Sequence, residues 1–182
     1  MIEVEIGRAK FEDIELINEL FEIVLIDTFQ LNGISDLIDT FNKEINDKRQ
    51  CLNQDFESGG KSRYFLIAKY KDIIVGSVEY GPANELIVSC TNGELKELME
   101  IGTVFVHPDY QRMGIGRRML NAIIMELEKN GIEEFCLDSG YKSAQKIWIN
   151  KFGYPHYFLK DYWGKNVDHM VWRIQIKEVL IL

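Results

Sequence analysis

Apolar positions in the first third of the chain recur at helical spacing. Ile14, Ile17, Leu20, Phe21, Val24 and Leu25 fall three and four residues apart, which predicts a helix over Phe11–Phe29. Before it, "IEVEIGRA" alternates and predicts a first strand. Gly33 breaks the helix, and Ser35 or Asp36 is placed to cap a second helix running to about Cys51. "NQDFESGGKSR" reads as a loop. The pattern then turns β-like: "YFLIAKY" and "IIVGSVEYG" are separated only by "KD", which predicts a hairpin.

The polar stretch "PANELIVSCTNGELKELM" is longer than a hairpin needs and reads as a loop or small excursion, of a kind that often carries function. "EIGTVFV" predicts a buried strand. Leu120, Ile123, Ile124 and Leu127 line one face of a helix over Gly116–Lys129, and Asn130-Gly131 supplies its stop. "EEFCLDS" predicts another strand, Ser143–Lys151 a short helix, and Tyr154–Tyr162 and "HMVWRIQI" two late strands. The expected order is β, α, α, β, β, β, α, β, α, β, β, with no internal repeat. The natural packing is an α/β (α+β) fold with a mixed sheet and helices on both faces. A chain of 182 residues, 46% hydrophobic and without a linker-like stretch, suits a single domain over residues 1–182.

Composition excludes several classes. The net charge of −8 and the lack of a basic stripe argue against a nucleic-acid binder, and mildly favour a cationic partner such as an amine. No apolar run approaches the roughly 20 residues that span a bilayer, and "MIEVEIGRAKFED" is too charged for a signal peptide. A cytoplasmic location is expected, with no membrane partner. Cys51, Cys90 and Cys136 are widely spaced and odd in number, as expected of reduced thiols. His107, His156 and His169 are scattered, so no metal is expected.

The sharpest chemistry lies in "VHPDYQRMGIG". Gly114 and Gly116 fall between a strand and a helix N-terminus. The first amides of a helix are unpaired and carry roughly half a positive charge. Glycines let an anionic group approach those amides, and Arg112, Arg117 and Arg118 add full charges. The segment reads as a cradle for phosphate. There is no GKS or GKT for a triphosphate loop, and Met119 stands where a dinucleotide turn would continue.

Gln111, Arg112, Met113, Gly114, Ile115 and Gly116 resemble the acyl-CoA signature (Q/R)xxGx(G/A) of the GNAT superfamily of N-acetyltransferases. "SAQKIWINKFGY" resembles that family's late helix and the "GF" after it. The resemblance implies a mixed, mostly antiparallel sheet splayed at a bulge between strands 4 and 5. It implies acetyl-CoA as co-substrate, with its pyrophosphate on the amides of residues 111 to 117. The pantetheine would run beside Val104, Phe105 and Val106, pairing with the backbone at Val104 and Val106 like an added strand. The Val104 amide would face the thioester. The implied reaction is acetyl transfer to a primary amine of a small molecule or peptide by direct attack. Many relatives pair through late strands, so a homodimer is also implied.

Acetyl transfer calls for a proton acceptor and a proton donor. Glu100, at the start of "EIGTVFV", stands where one branch of the family keeps a base glutamate; it equally ends the charge run "ELKELME". The family's late-helix tyrosine is replaced here by Trp148 or Ile149, depending on the anchor, and Trp148 reads as core or, second, as a wall of the acceptor pocket. Tyr141, Tyr154, Tyr157, Tyr162 or a water is left as donor, with Tyr162 the candidate catalytic residue. Tyr154, Tyr157, Phe158, Tyr162 and Trp163 read as core or interface aromatics. Cys136 reads as structural rather than nucleophilic. Asp138 and Ser139 end their strand, where each caps the next turn or touches an amine. Two alternatives stay open: a non-catalytic acyl-CoA-sensing module, and a nucleotide on the same glycine turn.

Overall fold

The computed structural model describes residues 2–179. Their strands form one seven-stranded sheet in the order β1-β2-β3-β4-β5-β7-β6: β1 Glu5–Arg8, β2 Tyr64–Tyr70, β3 Ile73–Pro82, β4 Met99–Val106, β5 Glu134–Ser139, β6 Tyr157–Leu159 and β7 His169–Gln175. The β4–β5 pair is parallel, while β1–β2, β2–β3, β5–β7 and β6–β7 are antiparallel. The five helices are α1 Ile14–Leu31, α2 Ile38–Ser58, α3 Glu85–Cys90, α4 Ile115–Lys129 and α5 Lys142–Phe152. This is the expected mixed, mostly antiparallel architecture. The parallel ladder is only two pairs long, Met99 with Phe135 and Glu100 with Cys136, although both strands run on.

The chain divides into two compact units. Among the described residues, the first holds 2–81 and 102–126, the second 82–101 and 127–179. In the first unit α1 buries Ile17, Leu20, Phe21, Val24, Leu25 and Phe29, the stripe that its spacing predicts. Phe21 meets Phe65 of β2 and Phe105 of β4, with ring centroids 6.3 Å and 5.8 Å away. From α4 come Ile115, Met119, Leu120, Ile123 and Ile124, all buried. In the second unit α5 packs through Phe152 against Phe135 of β5. Ile87 of α3 and Leu95 beyond it join Cys136 of β5 and Val171 of β7 in a separate apolar cluster.

Several boundaries differ from expectation. The second helix continues seven residues past Cys51, through most of the segment that reads as a loop. Leu52 and Asp55 are both buried, so a polar sequence still offers an inward face. Asp55 receives both guanidinium nitrogens of Arg8, at 2.7 and 2.8 Å, and the Phe65 amide at 3.3 Å. Gly59, left-handed at φ 60°, is the actual stop. Neither Ser35 nor Asp36 caps α2; its N-cap is Leu37, without a side-chain bond. α1 begins at Ile14 behind a 3-10 turn, β1 is shorter than "IEVEIGRA", and the sixth strand shrinks to Tyr157–Leu159. The polar excursion contains α3, capped by Asn84, whose Oδ1 accepts from the Ile87 amide at 2.8 Å. The "KD" hairpin forms as expected, with Lys71 left-handed at φ 55°.

Candidate functional site

The glycine turn lies in the first unit. After β4 a 3-10 turn over Pro108–Tyr110 ends at Gln111, whose amide donates to Pro108 O and whose Nε2 donates to Val106 O, both at 3.3 Å. Arg112 and Gly114 are left-handed, at φ 62° and 83°. That reversal brings the chain into α4, whose first backbone bond runs from Arg118 N to Gly114 O. The amides of Ile115, Gly116 and Arg117 therefore precede the helical ladder. A Cβ at Gly114 would meet nothing within 4 Å, so its missing side chain leaves open space before those amides. At Gly116 a Cβ would only touch Val106, at 3.5 Å. Gln111, Arg112, Met113 and Arg117 are exposed, whereas Ile115 is buried. Arg118 is engaged elsewhere: its Nη2 donates to Val4 O at 2.8 Å. The turn fits an anionic group by its amides, its open glycine and two exposed guanidinium groups.

Strand β4 carries a kink that sequence does not announce. Thr103 is left-handed at φ 48° and nearly fully buried. A β-branched residue there is strained by roughly 1–2 kcal/mol. Two bonds to β3 offset it: Thr103 Oγ1 donates to Glu79 Oε1 at 3.3 Å, and Thr103 O accepts from Ser77 Oγ at 3.1 Å. Glu79 is 2% exposed, and its other oxygen receives Arg63 Nη1 at 2.7 Å. Gly81 makes room for that arginine, since a Cβ would come within 2.6 Å of the guanidinium carbon. Val104, Phe105 and Val106, just past the kink, are half-buried. The only hint in the sequence is a glutamate inside an otherwise apolar strand, "IIVGSVEYG".

In the second unit Glu100 is buried. Its Oε2 accepts from the Asn84 amide at 2.9 Å, and its Oε1 from Asn84 Nδ2 at 3.0 Å. Glu100 thus anchors the entry to α3. Its ladder partner is Cys136, so the two side chains share one face. Burial first, then the carboxylates of Glu100 and Asp138, push the Cys136 thiol far above its usual range. That thiol donates weakly to Met99 O at 3.6 Å, and a thiolate there is strongly disfavoured.

Ser139 makes the local turn bond, its Oγ accepting from the Tyr141 amide at 3.1 Å. Asp138 does not; its Oδ2 lies 3.1 Å from Nε2 of the buried His169. Tyr162 is 42% exposed, with its ring against His169 at 5.5 Å. A hydrogen bond with Cys90 holds its hydroxyl above the usual tyrosine range, so it stays protonated at neutral pH. The late aromatics are not core as a group. Tyr154, Phe158, Tyr162 and Trp163 are all exposed, because β6 is three residues long and the turn after it lies at the surface. Trp148 is half-buried and stacks on Phe152 at 5.9 Å. Among the described residues no group of three His, Cys, Asp or Glu side chains is placed to hold a metal, and no helix is long and apolar enough to cross a membrane.

The profile of the acetyltransferase (GNAT) family matches residues 30–154, and the chain belongs to that family. No curated protein matches it. Among solved structures, it is similar to the PaiA N-acetyltransferase of Thermoplasma acidophilum, in complex with coenzyme A. The TM-score is 0.67 at 18% identity, over 95% of this chain and 100% of that one. The ribosomal-protein-alanine N-acetyltransferase of Brucella melitensis gives 0.67 at 17%, over 94% and 99%. YncA of Salmonella typhimurium, solved with its cofactor acetyl-CoA, gives 0.66 at 16%, over 97% and 96%. At these identities the likeness is one of fold.

Proposed function

We propose that the chain is an acetyl-CoA-dependent N-acetyltransferase acting on a primary amine of a small molecule or peptide by direct attack on the thioester. The open, left-handed Gly114 at the head of α4 carries this reading. In it, the amides of residues 111 to 117 hold the pyrophosphate, with Arg112 and Arg117 as counter-charges. Val104, Phe105 and Val106 pair with the pantetheine, and the Val104 amide donates to the oxygen that gains charge at the thioester carbonyl. In this reading Arg63, Glu79 and Thr103 hold the left-handed turn of β4 just before that amide. Acetyl-CoA supplies the activated acyl group.

Proton movement is assigned to Glu100 and Tyr162. Glu100 accepts the proton of the attacking amine, directly or through water, while Asn84 holds the carboxylate in place. Tyr162 keeps its proton at neutral pH and is assigned as donor to the departing thiolate. The raised Cys136 thiol argues against a covalent acetyl-cysteine route, so a ternary mechanism is expected. Incubation with acetyl-CoA and a panel of primary amines tests the reading through release of free coenzyme A thiol. Amine-dependent release supports it. Tight acetyl-CoA binding with no release from any amine would instead favour the sensing module, for which the lack of a tyrosine at 148 or 149 speaks.

A further inference from the structure

All of the chain's negative excess lies in one segment. Residues 11–42 hold eight Asp or Glu and no Lys, Arg or His, while the other 21 acidic residues match the 21 basic ones. The segment covers α1, the corner after it and the first turn of α2, all in the first unit. Asp13 is taken by Lys69, Glu22 by Arg49, and Glu12 lies near Lys10. Among the described residues, Glu15, Glu19, Asp27, Asp36 and Asp39 make no ion pair.

The same surface is apolar. Away from the buried stripe of α1, Leu16, Ile23 and Gln30 fall seven residues apart and share a face with Glu19 and Ile26. Leu16, Ile23 and Ile26 are exposed, and at the corner so are Leu31, Leu37 and Ile38. Leu37 stands at the N-cap of α2 without a capping bond, where a polar side chain would steady the helix. Ile26 and Gln30 line a cavity of about 190 Å³ with Phe29, Ser35, Ile38 and Phe41. Phe29 and Phe41 meet edge to face there, with ring centroids 5.4 Å apart.

Charge selects the occupant of this face. A second copy docked through it would set one acidic segment against another, and nucleic acid or an anionic lipid surface would be repelled as well. Length argues too: the stripe from Leu16 to Gln30 runs about 21 Å, roughly four helical turns and more than a small amine covers. We propose that the exposed face of α1, with the cavity at its end, docks a basic amphipathic protein segment. Its aliphatic side chains would cover Leu16, Ile23 and Ile26 and enter the cavity, and its Lys or Arg side chains would meet Glu15, Glu19 and Asp27. This interaction goes beyond the transferase reading and does not rest on it.

The probe is a helical peptide of about four turns, N-acetylated and C-amidated, built of Ala and Arg with Leu at heptad a and d positions. It has no primary amine, so it cannot serve as an acetyl acceptor. Two control peptides replace every Leu by Ala or every Arg by Glu. Calorimetry on the full chain gives the affinity, and amide chemical shifts map the contact. The expected result is saturable binding of the probe, shifts centred on residues 11–42, and no binding of either control. Affinity should fall at least tenfold in Ile23→Ser and in Glu19→Lys and stay unchanged in Glu97→Lys. All three side chains are exposed, and far-ultraviolet circular dichroism checks that each variant is folded. No binding of the probe, equal binding of the Leu-free peptide, or an equal loss in Glu97→Lys would overturn the inference. So would a dimer of the free chain, seen by sedimentation, that Ile23→Ser dissociates, since the face would then belong to a second copy. Hexylamine shifts on residues 11–42 without peptide binding would give the face to a small amine instead. Acetyl-CoA binding on the same samples tests the transferase reading separately.

Discussion

The glycine turn of the first unit and the carboxylate face of the second are built by opposite means. The turn is made mostly of main chain: left-handed Arg112 and Gly114 and three amides ahead of the α4 ladder, with the Gln111 side chain bonded back to Val106 O. The carboxylate face is made of side chains: Glu100 held by Asn84, and Asp138 beside the buried His169. A main-chain site tolerates change in most of its residues and fails at one or two glycines. A side-chain site is sensitive at each member, and each loss is partial. The two regions should therefore answer mutation differently.

The largest effect is expected at Gly114. Gly114→Glu places a bulky anion in the open space before the amides and forces a side chain onto φ 83°, so acetyl-CoA binding should fall below detection by calorimetry. Retained affinity would remove the cradle. Next comes Glu100→Gln, which should lower turnover by about 100-fold with acetyl-CoA affinity unchanged, the usual scale for a lost base. It should also erase the acidic limb of the pH–rate profile; an unchanged profile would leave Glu100 only as the anchor of Asn84.

Glu79→Gln should act through the β4 kink. Breaking the buried pair with Arg63 should destabilise the fold by about 3 kcal/mol, read by denaturant unfolding, and should depress kcat more than the KM for acetyl-CoA. Equal losses in both would mean that the network holds the fold without aiming the Val104 amide. The smallest effect is expected at Cys136. Its thiol stays protonated well above neutral pH, so iodoacetamide should modify Cys51 and Cys90, both partly exposed, before Cys136. Rapid alkylation of Cys136 would reopen the covalent route.

The contrast also explains what was legible in the sequence. Gly114 and Gly116 stand out because glycine reports a backbone requirement directly, and the stripe Leu120, Ile123, Ile124 and Leu127 reports the helix behind it. The element order was readable for the same reason, since periodicity records which face is buried. Long-range side-chain pairs leave no such trace. Arg63 and Glu79 are 16 residues apart, Asn84 and Glu100 likewise, and neither spacing has meaning until β3 and the α3 excursion are folded. The end of α2 was misread because Asp55, a polar residue in a polar run, is buried against Arg8. Of the core and interface readings of the late aromatics, core fails for Tyr154, Phe158, Tyr162 and Trp163, because β6, three residues long, does not cover them.

The most direct measurement is a calorimetric titration of the purified chain with acetyl-CoA, with ATP as the control anion. The account predicts micromolar, stoichiometric binding of acetyl-CoA and none of ATP, with Gly114→Glu silent toward both. Binding of ATP in preference to acetyl-CoA, or no acetyl-CoA binding at all, would contradict the claim that the turn before α4 holds a coenzyme A pyrophosphate.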